Sequence, residues 1–336
     1  MNVLILRPDH IGDMLLTTPF LAAMRKSFPD WNITVLCGSW SMPILKGNPN
    51  FNNVAVCDFP WLARGSGTLW NHLFSTISEL RKSSFDIVIN LRIAAKEAVM
   101  AKIIGGRQIL GFDMGKSKWA HGITVPYRTD CHIADLYLEF ADVLGGEKTH
   151  NGLELFLSGE DISSNKHIRN LPEKYVICAP GAGYKSKFWV PERWSVIADW
   201  IVSELNIPIL FTGSLSEKEM IEHIAGKMSR CAVNLAGQTS IRETAVLIKR
   251  ALFLVSVDSA AMHIASAVDT PVVALFGPTN PAHWGPYPNN CPNQIISKMS
   301  DFELFRGSFT RKGGMDLIQV EDIKLTLEEL CKRLQC

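Results

Sequence analysis

Two short segments hold most of the side chains in this chain that could do chemistry. The first is Arg7-Pro8-Asp9-His10-Ile11-Gly12-Asp13-Met14-Leu15-Leu16-Thr17-Thr18-Pro19, directly after the apolar run Val3–Leu6. The second is Val255-Ser256-Val257-Asp258-Ser259-Ala260-Ala261-Met262-His263, followed by Pro271–Gly277 and Pro278-Thr279-Asn280-Pro281. Each reads as a buried strand whose carboxyl end breaks into a turn and a new helix, the edge of an open α/β sheet where ligands bind. Asp13 follows a glycine at such an edge. A carboxylate there can take a proton from an incoming hydroxyl, a service worth about 10²–10⁴ in rate. The same position suits a helix N-cap, for which Asp is among the best residues. A helix N-terminus lowers an Asp pKa, so a base here needs burial against apolar neighbours to offset it.

Three further groups fit anion or sugar binding. Lys187 lies in Pro180-Gly181-Ala182-Gly183-Tyr184-Lys185-Ser186-Lys187-Phe188-Trp189-Val190-Pro191, a strand end, a flexible turn and a helix opened by proline. A lysine there can neutralise a diphosphate leaving group, or can be a solvated loop residue. Glu217 follows the strand end Phe211-Thr212-Gly213-Ser214. It can accept from ribose hydroxyls or stabilise its helix dipole. The helix starting near Ser259 offers free backbone N–H groups that favour a phosphate by roughly 0.3–2 kcal/mol. Asp258 would repel phosphate, so it either caps that helix or binds a sugar hydroxyl. His263 could face phosphate or pack.

Two other phosphate motifs fail. Gly115-Lys116-Ser117 ends like a Walker A loop, but Leu110 stands where the first glycine is required. Gly181-Ala182-Gly183 starts like a dinucleotide fingerprint, but Ser186 replaces its last glycine. Neither an ATPase nor a Rossmann dehydrogenase is supported.

The elements that must position these residues alternate between strand and helix. In the first half we expect strands at 3–6, 33–37, 54–57 and 86–91. Helices are expected at 13–28, 69–82, 94–104 and 132–144. Residues 158–172, polar and closed by proline, read as a linker. The pattern then restarts, with strands at 175–179, 207–212, 232–235, 252–257 and 272–276. Helices follow at 191–205, 217–228, 241–249, 260–267 and 320–334. Ser240 and Glu243 have capping-box spacing. Such alternation implies parallel sheets with helices on both faces. The expected organisation is therefore an α/β domain over 1–157, a linker over 158–172, a second α/β domain over 173–318 and a final helix over 319–336. Asp58–Thr68, with Gly-Ser-Gly beside aromatic residues, is either a closing loop or a plain connection.

At 336 residues, 47% hydrophobic and 20% charged, the chain is globular, with length for about two domains. No apolar run reaches the roughly 20 residues of a membrane span. The amino-terminal strand leaves no room for a signal-peptide core, so a cytoplasmic protein is expected. The eight cysteines form no C-x-x-C pair and no zinc spacing, and read as buried small residues. A net charge of +1 argues against general nucleic-acid binding. The distribution is uneven. Residues 81–128 hold nine Lys/Arg against three acids, and residues 129–161 one Lys against eight acids. The basic block is either a solvated face or a surface for an anionic substrate or lipid. No strongly basic amphipathic helix stands out, so any membrane contact should be peripheral.

With these residues in place, the chain resembles the bacterial heptosyltransferases of glycosyltransferase family nine, which add heptose to the inner core of lipopolysaccharide. The matching pieces are Arg7–Pro19, Phe28-Pro29-Asp30, and Pro180–Trp194 with Trp189-x-Pro191-Glu192-x-Trp194. Leu235-Ala236-Gly237-x-Thr239-Ser240, Val257–His263 and Phe276-Gly277-Pro278-Thr279-Asn280-Pro281 complete the set. They run through nearly the full length in the right order, and are weakest in the middle of the first half.

The resemblance implies a GT-B architecture, two Rossmann-like domains with parallel sheets facing a central cleft. It also implies an inverting transfer by direct displacement that needs no metal and no cofactor. The family's catalytic aspartate falls on Asp13 and its phosphate-binding lysine on Lys187. Its nucleotide-contacting glutamate falls on Glu217, and its donor loop on Asp258, Ser259, Ala260 and His263. Gly183 in the flexible turn joins the donor-binding set. One departure is Asp258-Ser259-Ala260 where many relatives have Asp-Thr-Gly, which adds a methyl group where backbone approaches phosphate. The expected partners are an ADP-heptose donor and a lipid-linked lipopolysaccharide core acceptor, with peripheral membrane contact and no nucleic acid. Arg64, Arg92, Lys96 and Arg107 are the candidates for the acceptor's carboxylates and phosphates. The alternatives are a related transferase using another nucleotide sugar, or a non-catalytic nucleotide-sugar binder.

Overall fold

The computed structural model describes residues 1–62, 69–163, 165, 168, 171–299 and 314–335. The chain divides into two compact units, Met1–Phe156 and Leu157–Cys336. Each is built on a six-stranded sheet in which every pairing is parallel.

The first unit contains β1 (Asn2–Leu6), β2 (Asn32–Cys37), β3 (Asn53–Val56), β4 (Phe85–Asn90), β5 (Gly106–Phe112) and β6 (Ile123–Val125), in the order β3-β2-β1-β4-β5-β6. Val3, Leu4, Ile5 and Leu6 are fully buried, as expected of a central strand covered on both faces. The chain first winds outward from β1 to β3, then crosses to β4 and winds the other way. Right-handed crossovers send the helices of these two halves to opposite faces. Helix Ile133–Val143 packs on Thr18–Ser27, while Leu69–Lys82, Ala95–Ile104 and the 3₁₀ segment Gly115–Ala120 lie side by side.

The second unit contains β7 (Val176–Ala179), β8 (Ile209–Phe211), β9 (Val233–Asn234), β10 (Leu254–Val257), β11 (Val272–Phe276) and β12 (Gln294–Ser297), in the order β12-β11-β10-β7-β8-β9. Trp189 and Trp194 stack edge to face, 5.3 Å between centroids, in a core shared with Ile197, Ile201, Leu327 and Leu330. Trp189 Nε1 donates to the Ile318 carbonyl (2.9 Å), which fixes the final helix Val320–Leu334 to this core.

The structure departs from the sequence expectations at several elements. The single helix expected over 13–28 is two, Ile11–Leu15 and Thr18–Ser27. Pro19 has no N–H to continue the first helix and instead occupies the opening turn of the second. Strands β5, β6 and β12 are absent from the sequence expectations: β5 and β12 open on polar residues (Arg107-Gln108 and Gln294), and β6 is only three residues long. Residues 158–172 include a helical turn, Glu160–Ser163, and Asp161 makes a bidentate pair with Arg242 at 2.6 and 2.7 Å. The Arg242 hydrogen bonds hold the Asp161 carboxyl below the usual carboxylate range. The capping box at Ser240 and Glu243 forms as expected. Cys37, Cys57, Cys178 and Cys331 are buried as expected, whereas Cys231 is exposed and Cys131 and Cys291 are half-buried.

Candidate active site

In each sheet the winding reverses between two central strands, and the carboxyl ends of those strands leave a crevice where ligands of open α/β folds bind. In the first unit the pair is β1 and β4; in the second it is β10 and β7. Apart from Arg107 and Arg64, the sequence-assigned residues lie at or beside these two points.

At the β1–β4 edge the chain leaves β1 through Arg7-Pro8-Asp9-His10 and enters helix Ile11–Leu15. Asp13 stands in the first turn of this helix. His10 occupies the N-cap position and makes no side-chain cap, so the capping alternative for Asp13 does not hold. Arg7, almost fully buried, donates through Nη2 to the Tyr137 hydroxyl (2.6 Å) and to Asp13 Oδ1 (3.3 Å). Through Nη1 it donates to the Leu91 carbonyl (3.2 Å) and pairs with Asp9 (3.0 Å). Burial alone would lower the guanidinium's proton affinity, but Tyr137, Asp9 and Asp13 together raise it. Asp9 also pairs with Arg92 (2.8 Å), whose guanidinium lies 3.5 Å from buried Glu97.

This arrangement decides how Asp13 holds a proton. Burial raises its pKa and the Asp9 carboxylate adds to the rise, against lowering by Arg7, His10 and Arg92; the net shift is upward. Its side chain keeps 28% exposure, so the carboxylate is open to a ligand. A partly buried carboxylate with raised proton affinity is suited to general-base work near neutral pH.

Arg92 and Lys96 lie at this edge. Arg92 enters through Asp9, and Lys96 in the first turn of its helix sits 5.3 Å from the Trp61 ring centroid. Arg107 does not. It is at the amino end of β5, exposed and paired with Asp86 (3.5 Å), because a parallel strand presents its first residues at the edge opposite Asp13. Arg64 lies outside the described residues. Sequence reasoning missed the roles of Asp9, Tyr137, Trp61 and Glu97. Asp9 was within reach as a second acid in the Arg7–Pro19 motif, whereas nothing local marked Tyr137, 130 residues from Arg7.

At the β10–β7 edge, Lys187 ends the 3₁₀ turn Lys185–Lys187 after β7, and its Nζ pairs with Asp258 Oδ2 at 2.7 Å. Thr279 Oγ1 donates to the same oxygen (2.6 Å). Asp258 therefore does not cap helix Ala260–Ala267. Ser259 holds the cap position, and its hydroxyl is 3.1 Å from that of Ser256 rather than on the helix N–H groups. Ala260 opens the helix and His263 is buried in it. Gly183 has open space where a Cβ would stand.

Glu217, beyond β8, accepts from the Ser214 backbone N–H (2.6 Å) and hydroxyl (2.8 Å), closing a capping box. Its other carboxylate oxygen lies so close to Gly181 that a Cβ there would collide with it. That approach explains a glycine at 181. Among the described residues, no three His, Cys, Asp or Glu side chains gather as a metal site. No helix among them is long and apolar enough to cross a membrane.

Comparison with known proteins bears on the family of the chain and on its fold. Residues 73–303 match the family described as glycosyltransferase family 9 (heptosyltransferase). The chain belongs to this family. Lipopolysaccharide heptosyltransferase 3 of Escherichia coli K12 is a relative 30% identical over 334 residues, 95% of each chain. A family 9 glycosyl transferase of Veillonella parvula DSM 2008 superposes with a TM-score of 0.84 at 24% identity, over 99% of this chain and 97% of that one. E. coli heptosyltransferase WaaC, solved with ADP and with ADP-2-deoxy-2-fluoro heptose, gives 0.74 at 19% identity, over 98% and 99%. The two parallel sheets are those of the GT-B heptosyltransferase fold, and the chain is a glycosyltransferase.

Proposed function

We propose that this family-nine enzyme transfers heptose from ADP-heptose to a sugar hydroxyl of the lipopolysaccharide inner core, with inversion and without a metal. The observation that carries the reading is Asp13, a partly buried carboxylate of raised proton affinity at the reversal point of the first sheet. In this reading Asp13 accepts the proton of the acceptor hydroxyl as its oxygen attacks the anomeric carbon. The bond from that carbon to the ADP β-phosphate oxygen breaks, and the leaving diphosphate gains negative charge.

Lys187 is the residue we assign to that charge. Its Nζ is anchored by Asp258 at 2.7 Å, which holds the ammonium at the edge where the diphosphate would leave. Ser259, Ala260 and His263 belong to the same phosphate-facing edge, Gly183 leaves room for the donor, and Glu217 is assigned to the ribose. Arg92 and Lys96 supply cationic charge for the acidic inner-core acceptor. The names of the E. coli relatives support both the acceptor and the nucleotide.

Calorimetric titration with ADP, UDP and GDP, each with and without magnesium, tests the donor. Metal-independent preference for ADP, weakened at least tenfold by Lys187→Ala, is expected. Preference for UDP or GDP would overturn the donor while leaving the fold, and binding of none would favour a non-catalytic role.

A further inference from the structure

The three helical segments that lie side by side on one face of the first sheet, Leu69–Lys82, Ala95–Ile104 and Gly115–Ala120, turn an unusual surface outward. Their inner sides are packed, with Leu73, Ile77, Leu80, Ala98, Ala101 and Ile104 buried. Outward, Trp70 and Phe74 stand one turn apart, 48% and 63% exposed, with ring centroids 6.2 Å from each other. Val99 and Ile103 repeat the arrangement on the next helix at 41% and 44%, and Trp119 on the third segment is 62% exposed. Large apolar groups on three adjacent segments make a patch of the kind that marks an interaction surface.

The charge around the patch is positive. Arg81, Lys82, Lys96 and Lys102 are exposed on these helices. Asp86 and Asp113 are neutralised by Arg107 and Lys118, and Glu97 is buried, which leaves Glu79 as the exposed acid of the two helices. Aromatic rings beside lysines suit the boundary between lipid headgroups and acyl chains. Each Lys or Arg near an anionic surface strengthens binding about fivefold.

The patch also runs toward Asp13. Trp61 packs on Trp70 (6.0 Å) and donates through Nε1 to Glu97 (2.8 Å), and Glu97 leads through Arg92 to Asp9. Trp70 and Lys96 are each second in their helix, at the carboxyl edge of the sheet where Asp13 lies.

We propose that this helical face seats on an anionic lipid bilayer and holds the β1–β4 edge at the surface from which a lipid-linked acceptor projects its sugars. The proposal rests on the reading of the acceptor as lipid-linked. Charge complementarity selects a bilayer over a second copy of this chain, whose matching face would carry the same positive charge.

The test is co-sedimentation of the full chain with vesicles of phosphatidylcholine and phosphatidylglycerol (3:1) containing no lipopolysaccharide, beside turnover on a soluble, deacylated core acceptor. Salt-sensitive binding is expected. It should fall about tenfold in Phe74→Ser/Ile103→Ser and in Lys102→Glu, with melting and soluble turnover unchanged. No binding by the parent chain, equal binding to pure phosphatidylcholine, or undiminished binding by the variants would overturn the proposal. Self-association lost in Phe74→Ser/Ile103→Ser, without vesicle binding, would overturn it in favour of a second copy. Vesicle binding without soluble turnover would uphold docking and count against the proposed reaction alone.

Discussion

Replacing Arg7 by Met should destabilise the first unit and make the loss depend on pH. Arg7 is 2% exposed and serves two carboxylates, the Tyr137 hydroxyl and the Leu91 carbonyl at 2.6–3.3 Å. Methionine fills much of the volume but supplies no donor. Breaking a buried ion pair by removing one partner costs about 3–5 kcal/mol. For a unit of this size, each kcal/mol lowers the midpoint by about 2–4 °C, so a fall of roughly 10 °C is expected. The sign with pH follows from Asp13. Its pKa is already raised in the folded state and Arg7 holds it down, so Arg7→Met raises it further. A raised folded pKa disfavours the ionised folded state. The penalty of the variant therefore grows as pH rises from the parent's folded pKa, already above the ordinary carboxylate range, to the variant's, levels off beyond it, and shrinks on acidification. Urea unfolding of both proteins at pH 5 and pH 8 measures this. A loss below about 1 kcal/mol, or one equal at both pH values, would refute the reasoning.

Two other perturbations probe the second unit. Gly181→Ala should displace the Glu217 carboxylate, because the new Cβ would occupy its place. ADP affinity is then expected to fall about tenfold with the fold intact, which calorimetry and a melting curve would separate, one lost charge-assisted hydrogen bond being worth about 1.5–3 kcal/mol. Asp161→Asn should cost the second unit about 3–5 kcal/mol at neutral pH by breaking the buried bidentate pair with Arg242. The folded Asp161 pKa is depressed, so this stabilisation is present above the unfolded carboxylate pKa and disappears as pH falls through the folded one. Stability curves of parent and variant should converge in acid, and parallel curves would contradict the assignment.

The general architecture was legible because its signals are local. Buried apolar runs and helical periodicity gave most strands and helices to within two residues, and Pro191 and the Ser240–Glu243 box marked helix starts. Lys187 and Asp258 were legible singly, but their pairing is set by the adjacency of β7 and β10, which no local pattern encodes. The same holds for Tyr137, brought to Arg7 from a distant helix. Arg107 was misread because its charge was visible in the sequence while the direction of β5 was not. Strands β5 and β12 escaped notice because their polar first residues, at a sheet edge or strand end, break the pattern that buried residues make.

The most direct measurement is the pH dependence of kcat/KM for transfer of heptose from ADP-heptose to a heptose-deficient core acceptor, in the parent chain and in Asp13→Asn. The parent should show an acid limb above the ordinary carboxylate range. Asp13→Asn should lose that limb and about 10²–10⁴ in rate while still binding ADP and unfolding normally. Near-parent turnover by Asp13→Asn, or the same acid limb in both proteins, would contradict Asp13 as the base.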